Sequence, residues 1–423
     1  MNKFSVIFFS ILIPNICLQA QNEASSNSFL EKLNLFSLEG YGAMNYYHFD
    51  WQTDTTKRDA IDNERLVLEF GYRWNDKIKL NTEIEFEHGG TGSEVEFDRF
   101  EEFGEFEFDI NKGGEVLIEQ MNLEFNLAKN LNVQVGRVKV PFGLMFVRDE
   151  PTDYLTAINS EMESQILPEN WTDNGFLIQG NFGGSKYKYH FSLTNGLDGS
   201  AFNSANWIKR GNQARFEMVN AENFALCARL DYVANAAFSV GFSMYGSKST
   251  SDNRPKPDLS ISTPLGLGEI HTSLHYKYLS LSCMLMYGKL ANSETLSNFN
   301  RNLSNNLNVK RTPVGASCLG AFSELALKVI GVESLLKNNL ENSELLLYLR
   351  YDFYDTMFST EGLIFNNPRW QRQSWSIGTV YKIIEDVQFK LQFSDRKVGA
   401  PAPTSIGGGT SEKSIITGFA FEF

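Results

Sequence analysis

The sequence predicts an all-β fold, a transmembrane antiparallel β-barrel of about sixteen strands with long extracellular loops and an inward-folded constriction loop. Three observations carry this: apolar and polar residues alternate at every second position, short and long connections alternate between those segments, and the chain ends in a spaced row of large apolar side chains. Composition agrees. Of 423 residues 13% are aromatic, with 34 Phe and 16 Tyr, yet mean hydropathy is −0.27. With 38 basic against 51 acidic residues the formal charge is −13, which excludes binding to nucleic acid through a general basic field.

The N-terminus reads as an export signal over residues 1–20. Lys3 is its positive region, Phe4 to Ile13 its apolar core, and Leu18-Gln19-Ala20 its cleavage site. The mature chain is expected to start near Gln21, with a short periplasmic segment at 21–37 and the barrel over 38–423. Cys17 is not read as a lipid anchor, since Asn15 and Ile16 before it suit a lipobox poorly. After Ile13 no apolar run approaches the roughly 18 to 20 residues of a spanning helix.

The strands follow in order. Leu66, Leu68, Phe70, Tyr72 and Trp74 share one parity, as do Ile78, Leu80, Ile84 and Phe86, then Leu123, Phe125 and Leu127, and Tyr187, Tyr189, Phe191 and Leu193. The pattern continues through Phe224 to Tyr232, Phe238 to Met244, Leu279 to Tyr287, Leu345 to Phe353, and Val387 to Phe393. In a soluble sandwich the apolar face would be the inside; in a membrane barrel it meets lipid and the polar face lines a lumen. Short turns are expected at Asn75-Asp76, Ala128 to Asn130, Gly183 to Ser185, Ala234 to Ala236, Lys277-Tyr278 and Glu385-Asp386. Long loops are expected at about 49–63, 89–114, 141–174, 195–222, 247–269, 289–313, 355–371 and 396–411, and eight such loops imply sixteen strands. The stretch 325–343 fits poorly, being longer than a turn. At the C-terminus Ile415, Thr417, Phe419, Phe421 and Phe423 look like the signal by which outer-membrane barrels are recognised by the barrel-assembly machinery. Closing this strand on the first removes an edge prone to aggregation and satisfies the backbone in lipid.

The connection at 141–174 is long enough to be functional, and its Pro, Phe, Met and Trp content argues for packing inside the barrel. Its charges, Arg148, Asp149, Glu150, Asp153, Glu161 and Glu163, are constriction candidates together with Arg137 and Lys139 upstream. Arg137 and Lys139 share parity with Val133 and Val135, so an unbroken strand would aim them at lipid, at about 2 to 4 kcal/mol each near mid-membrane. A bulge at Gly136 is expected to turn both into the lumen, where they could face permeating anions.

The segment Gly136-Arg137-Val138-Lys139-Val140-Pro141-Phe142-Gly143-Leu144 resembles the Gly-x-x-x-x-Pro-Phe-Gly signature of the phosphate-selective porin O and P family. Glu85 to Gly92, Gly113 to Gln120, the stretch from Glu150-Pro151-Thr152 to Trp171, Ser192 to Leu197 and Ala228 to Tyr232 extend the resemblance over most of the mature chain. It implies a sixteen-stranded homotrimeric channel for small anions or other hydrophilic solutes, with neither cofactor nor catalysis. The chain departs from the lysine and arginine ladder of anion-selective members. By alternation the polar face carries Arg65, Arg73, Lys79, Arg137, Lys139, Lys186, Lys188, Arg229, Arg350 and Lys390 against Glu69, Glu83, Glu85, Glu87, Glu124, Asp231, Glu344, Asp352 and Glu422. Such a balance predicts weak selectivity.

Other features read more plainly. The acidic run 94–109 carries eight carboxylates and one arginine; a solvated hairpin suits its evenly spaced Phe better than a cation site. His271 and His275 lie too far apart along a strand to share a metal at about 3.3 Å per residue. Cys227, Cys283 and Cys318 make no disulfide framework, and Gly407 to Ser411 lacks the spacing of a phosphate cradle. An enzyme would need a nucleophile with a positioned base, and no such pair is visible. A plugged structural or adhesive barrel stays open as an alternative, whereas a transporter with a separate plug needs about 22 strands.

Overall fold

The computed structural model describes residues 34–89, 115–212, 219–254, 257, 259–303, 311–329, 343–401 and 408–423. The expected export signal, most of 21–37, the acidic run and most of 325–343 lie outside the described residues. Sixteen strands follow one another: β1 (Phe36–Trp51), β2 (Ala60–Asn75), β3 (Ile78–Glu87), β4 (Glu115–Ala128), β5 (Leu131–Lys139), β6 (Thr172–Phe182), β7 (Tyr187–Asn195) and β8 (Phe224–Asn235). Then come β9 (Phe238–Ser247), β10 (Leu265–Tyr276), β11 (Leu279–Leu290), β12 (Ser317–Val329), β13 (Glu344–Ser359), β14 (Gln371–Ile384), β15 (Val387–Val398) and β16 (Ser411–Glu422). Each strand pairs with its sequence neighbours and β1 pairs with β16, so the sheet is closed. At the seam the Gly40 N–H donates to the Phe423 carbonyl at 3.0 Å and Phe423 returns the bond at 2.8 Å.

Alternation explains which face is which. On β15, Phe389, Leu391 and Phe393 are 43 to 50% exposed, while Lys390 and Gln392 between them are 3% and 4% exposed. β13 repeats this, with Leu347 and Leu349 outward and Tyr348 and Arg350 buried. An apolar outside around a polar inside inverts the arrangement of a soluble barrel, and lipid is the medium that makes it stable. Phe419, Phe421 and Phe423 form one outward row whose neighbouring rings lie 6.2 and 6.4 Å apart.

The short turns at Lys277-Tyr278 and Glu385-Asp386 stand where the sequence places them, while those after Asn75 and Asn235 fall slightly later, for a local reason. Asn75 accepts the N–H groups of Lys77 and Ile78 at 2.9 and 3.1 Å, and Asn235 does the same for Ala237 and Phe238 at 2.8 and 3.1 Å. The carboxamide sets the turn from the last strand position, so the Asn stays in the strand. Lys186 is a correction of another kind: β7 begins at Tyr187, and Lys186 sits exposed in the turn rather than on the inner wall.

Two short helices, α1 (Glu161–Ile166) and α2 (Ser293–Arg301), interrupt long connections. Ser160 caps α1 by accepting the Glu163 N–H. The largest apolar cluster lies inside the barrel. Phe142, Met162, Ile166 and Trp171 of one connection meet Leu197, Phe202, Trp207 and Ile208 of the next, and both pack on Tyr245, Met284, Met286, Phe322 and Tyr354 of β9–β13. Trp207 is fully buried, donates to the Gly315 carbonyl at 3.0 Å, and lies where any side chain at Gly288 would meet its ring at 2.1 Å.

Candidate functional site

The connection between β5 and β6 leaves the wall at Pro141 and enters the barrel. Gly143 holds a φ of +76°, and a Cβ there would meet Glu163 Oε1 at 2.6 Å, so two separate constraints favour glycine. Its N–H donates to Ser243 Oγ at 3.2 Å, and the Arg229 guanidinium donates to its carbonyl. Glu163 accepts the Leu144 and Met145 N–H groups at 2.7 and 3.1 Å, which ties α1 back onto the start of the loop.

Arg148 and Asp149 then take opposite walls. The Arg148 guanidinium donates to Ser273 of β10 at 2.8 Å and to Ser282 of β11 at 3.1 Å. Asp149 pairs with Lys139 of β5 at 2.9 Å and Arg65 of β2 at 3.4 Å. β2 and β10 stand eight strands apart in either direction round the ring. The side chains of two consecutive residues therefore bridge the lumen from a backbone that lies within it, because neighbouring Cα atoms are only about 3.8 Å apart.

Beyond the crossing the loop follows the wall. Thr152 donates to Glu422 of β16 at 2.8 Å, and Gln388 donates to the Thr152 carbonyl at 3.0 Å. Lys390 places its ammonium among the Pro151, Tyr154 and Thr156 carbonyls, the last at 3.0 Å, with the Tyr154 ring 4.3 Å away. On β13, Arg350 donates to Ser160 at 2.6 Å and pairs with Asp352 at 2.7 Å and Glu324 at 3.2 Å. Glu161 accepts from Tyr354 at 2.7 Å and from Arg396 at 3.0 Å. Asn170 closes the circuit on Glu85 of β3 at 2.8 Å.

Most of the sequence-derived candidates meet in these networks. Arg65, Lys139, Glu83, Glu85 and Asp149 form one; Arg350 and Glu161 anchor another; Arg229 joins Asp231 and His271 in a third. The route by which Lys139 arrives differs from the expectation. Gly136 pairs with Asn122 and Gly175 without a register shift, so no bulge lies there; it takes instead a φ of +133°, and a Cβ would meet the Met121 carbonyl at 2.4 Å. Nor does Lys139 face the passage as a free cation, since Asp149 and Glu83 hold it at 2.9 and 3.7 Å. Arg137 donates to Thr172 at 3.3 Å. Arg73, Lys79 and Lys188 lie at the turn end of the barrel, away from the loop, with Arg73 and Lys188 exposed.

Loop electrostatics follow from these partners. Burial would raise the Asp149 carboxyl, and Lys139 with Arg65 outweighs it and holds the group low. Arg396 and Tyr354 likewise overcome burial at Glu161 and lower it. Glu150 behaves oppositely: burial, then a hydrogen bond with Glu422, lifts it to about 8, and Asp153 beside it is also raised, chiefly by burial. Lys390, Arg396 and Tyr354 were not singled out as site residues by the sequence. Alternation places them inward, but nothing in a sequence shows which loop atoms they would meet.

No family model matches the chain. An uncharacterised protein of Aquifex aeolicus (strain VF5) is 28% identical over 211 residues, covering 49% of this chain and 43% of the relative, so the match spans less than half of that protein. Among solved structures, the anion-selective porin from Comamonas acidovorans superposes with a TM-score of 0.52 at 14% identity, over 92% of this chain and 99% of that one. Salmonella typhi OmpF in complex with daunomycin gives 0.53 at 10% identity, over 92% and 97%. These likenesses show that the chain has the porin-type fold, a closed sixteen-strand antiparallel barrel.

Proposed function

We propose that the chain is an outer-membrane porin through which small hydrophilic solutes or inorganic ions diffuse passively, narrowed by the loop at 140–171. The observation that carries this is the loop crossing at Arg148 and Asp149 inside a barrel that is apolar outside and polar within. In this reading residues 1–20 direct export, the row Phe419, Phe421 and Phe423 is the signal for assembly, and the working unit is a homotrimer in outer-membrane lipid.

Selectivity is weak in this account. Several cations near the loop are matched by carboxylates, Lys139 by Asp149, Arg350 by Asp352, and Arg396 by Glu161 and Glu412, while Arg148 and Lys390 meet serine hydroxyls and loop carbonyls. Such pairing supports a mixed passage over a phosphate path, since a ring of one charge sign is what sets the permeating ion.

The same crossing favours a second reading, a barrel closed at rest. Swelling of proteoliposomes in isotonic solutes of graded size separates the two. Entry of the smallest solutes with a sharp cut-off supports the narrowed channel, and no entry from folded protein supports closure.

A further inference from the structure

We propose that the inner wall beside β1 is a binding site for a neutral sugar. Tyr47, Phe49 and Trp51 occupy alternate positions of β1 and line a recess open to solvent. Tyr47 and Phe49 are stacked with centroids 5.7 Å apart and planes within 12°, and Phe49 meets Trp51 edge-on at 5.3 Å. Their repeat of about 6.6 Å along the strand is on the scale of one sugar ring after another.

A sugar presents an apolar C–H face on one side and hydroxyls around its rim. Aromatic faces suit the first, because the ring quadrupole attracts electropositive hydrogen. The exposed Lys57 side chain lies over two of these rings, its ammonium 4.9 Å from the Phe49 centroid and 4.5 Å from that of Trp51, so a sugar would take the place of this flexible chain. Beside the rings, on the neighbouring strands β14, β15 and β16, stand the groups a hydroxyl rim needs, Ser376, Ser394, Gln392 and Ser414, each able to donate and accept. Trp51 itself donates to Ser414 at 3.0 Å, which fixes its ring against the wall.

Charge selects against an ionised ligand. Arg350 and Arg396 line the recess with Glu161, Asp352 and Glu412, and those five already pair with one another. With Lys57 over the rings, three cations against three anions leave no net positive field for an acidic sugar, while paired charges still offer hydrogen-bonding sites to hydroxyls. Asn159, Ser164 and Gln165 of the inward-folded loop also line the recess, so a sugar here would lie against that loop.

The site requires a recess open to solvent and does not require a through-passage. Saturation-transfer NMR on the detergent-solubilised full chain tests it, with maltose as probe, sorbitol as a hydroxylated chain lacking a ring, and tetramethylammonium as a cation. The expected result is saturation of the maltose ring C–H protons at millimolar concentration, at least tenfold weaker for sorbitol, lost in F49A and retained in F49Y. F49Y also controls for folding, which heat-modifiable migration on gels reports for both variants. Equal signals from maltose and sorbitol, maltose binding unchanged in F49A, no maltose signal, or a preference for tetramethylammonium would each overturn the assignment. Maltose contact in a chain that conducts no ions would keep the site and sink the channel reading; conduction without maltose contact would do the reverse.

Discussion

The inner wall from β9 to β13 and the inner wall from β14 through β16 to β3 are made of the same kind of strand, yet they are filled differently. Against the first lie Phe142, Met162, Trp171, Phe202 and Trp207, contributed by two loops, and the wall answers with Met284, Met286, Phe322 and Tyr354. Against the second, the crossing loop is held by Lys390, Arg396 and Arg65. Close-packed apolar side chains leave little room for water, whereas paired charges and hydroxyls tolerate it. A passage, in this account, runs on the polar side, and the apolar side is the abutment that keeps the loop from swinging.

Breaking either side should reveal its role. Trp207→Ala in the apolar abutment is expected to have the largest effect, about 3–5 kcal/mol for the cavity and about 1 kcal/mol for the lost bond to the Gly315 carbonyl. Limited proteolysis in detergent should then cut the 196–223 connection while the barrel stays heat-modifiable. Arg350→Ala should cost a similar or slightly smaller amount, about 3–5 kcal/mol, because Asp352 and Glu324 remain buried without a partner. Its distinguishing sign is a larger conductance, since the N-terminus of α1 loses one of its ties to β13 while that of Glu161 to Tyr354 remains; an unchanged conductance would mean that α1 does not border the passage.

Lys390→Met comes next, leaving three loop carbonyls without their donor, at about 1–3 kcal/mol. Noisier open-channel current is the expected signature. The smallest effect is expected from pH. Glu150 in the folded chain is lifted to about 8, by burial and then by Glu422, from an ordinary value of 4.5. An acid whose folded value is raised holds its proton between the two values, so its contribution to loop seating is greatest below about 4.5 and is lost as pH rises through about 8. Conductance should rise between pH 7 and 9 in the parent chain and stay flat in Glu150→Gln; a parallel rise in both would assign the effect to another group.

The two walls also differ in how far they could be read from the residues. Gln388-Phe389-Lys390-Leu391-Gln392-Phe393-Ser394 alternates strictly, and both its outward and inward faces were legible. In Cys283-Met284-Leu285-Met286-Tyr287 both parities are apolar, and this was the available sign that the inner wall there packs against loops. Strand number, loop order and the closing C-terminal row follow from period and spacing, which are local properties. The partners of Arg148, Asp149 and Lys390 are not local. They depend on where a connection of some thirty residues returns to the wall, and alternation carries no information about that. Gly136 shows the same limit on a smaller scale: the need to bring Lys139 inward was legible, but the means was a glycine-only backbone angle rather than a bulge.

The most direct test of the central claim is single-channel recording from the full chain in a planar bilayer, with a salt gradient across it. The account predicts discrete steps, a reversal potential close to zero from the balanced charges, and larger steps in Arg350→Ala. Folded, inserted protein that gives no steps in either form would contradict it and leave the closed barrel as the reading of this structure.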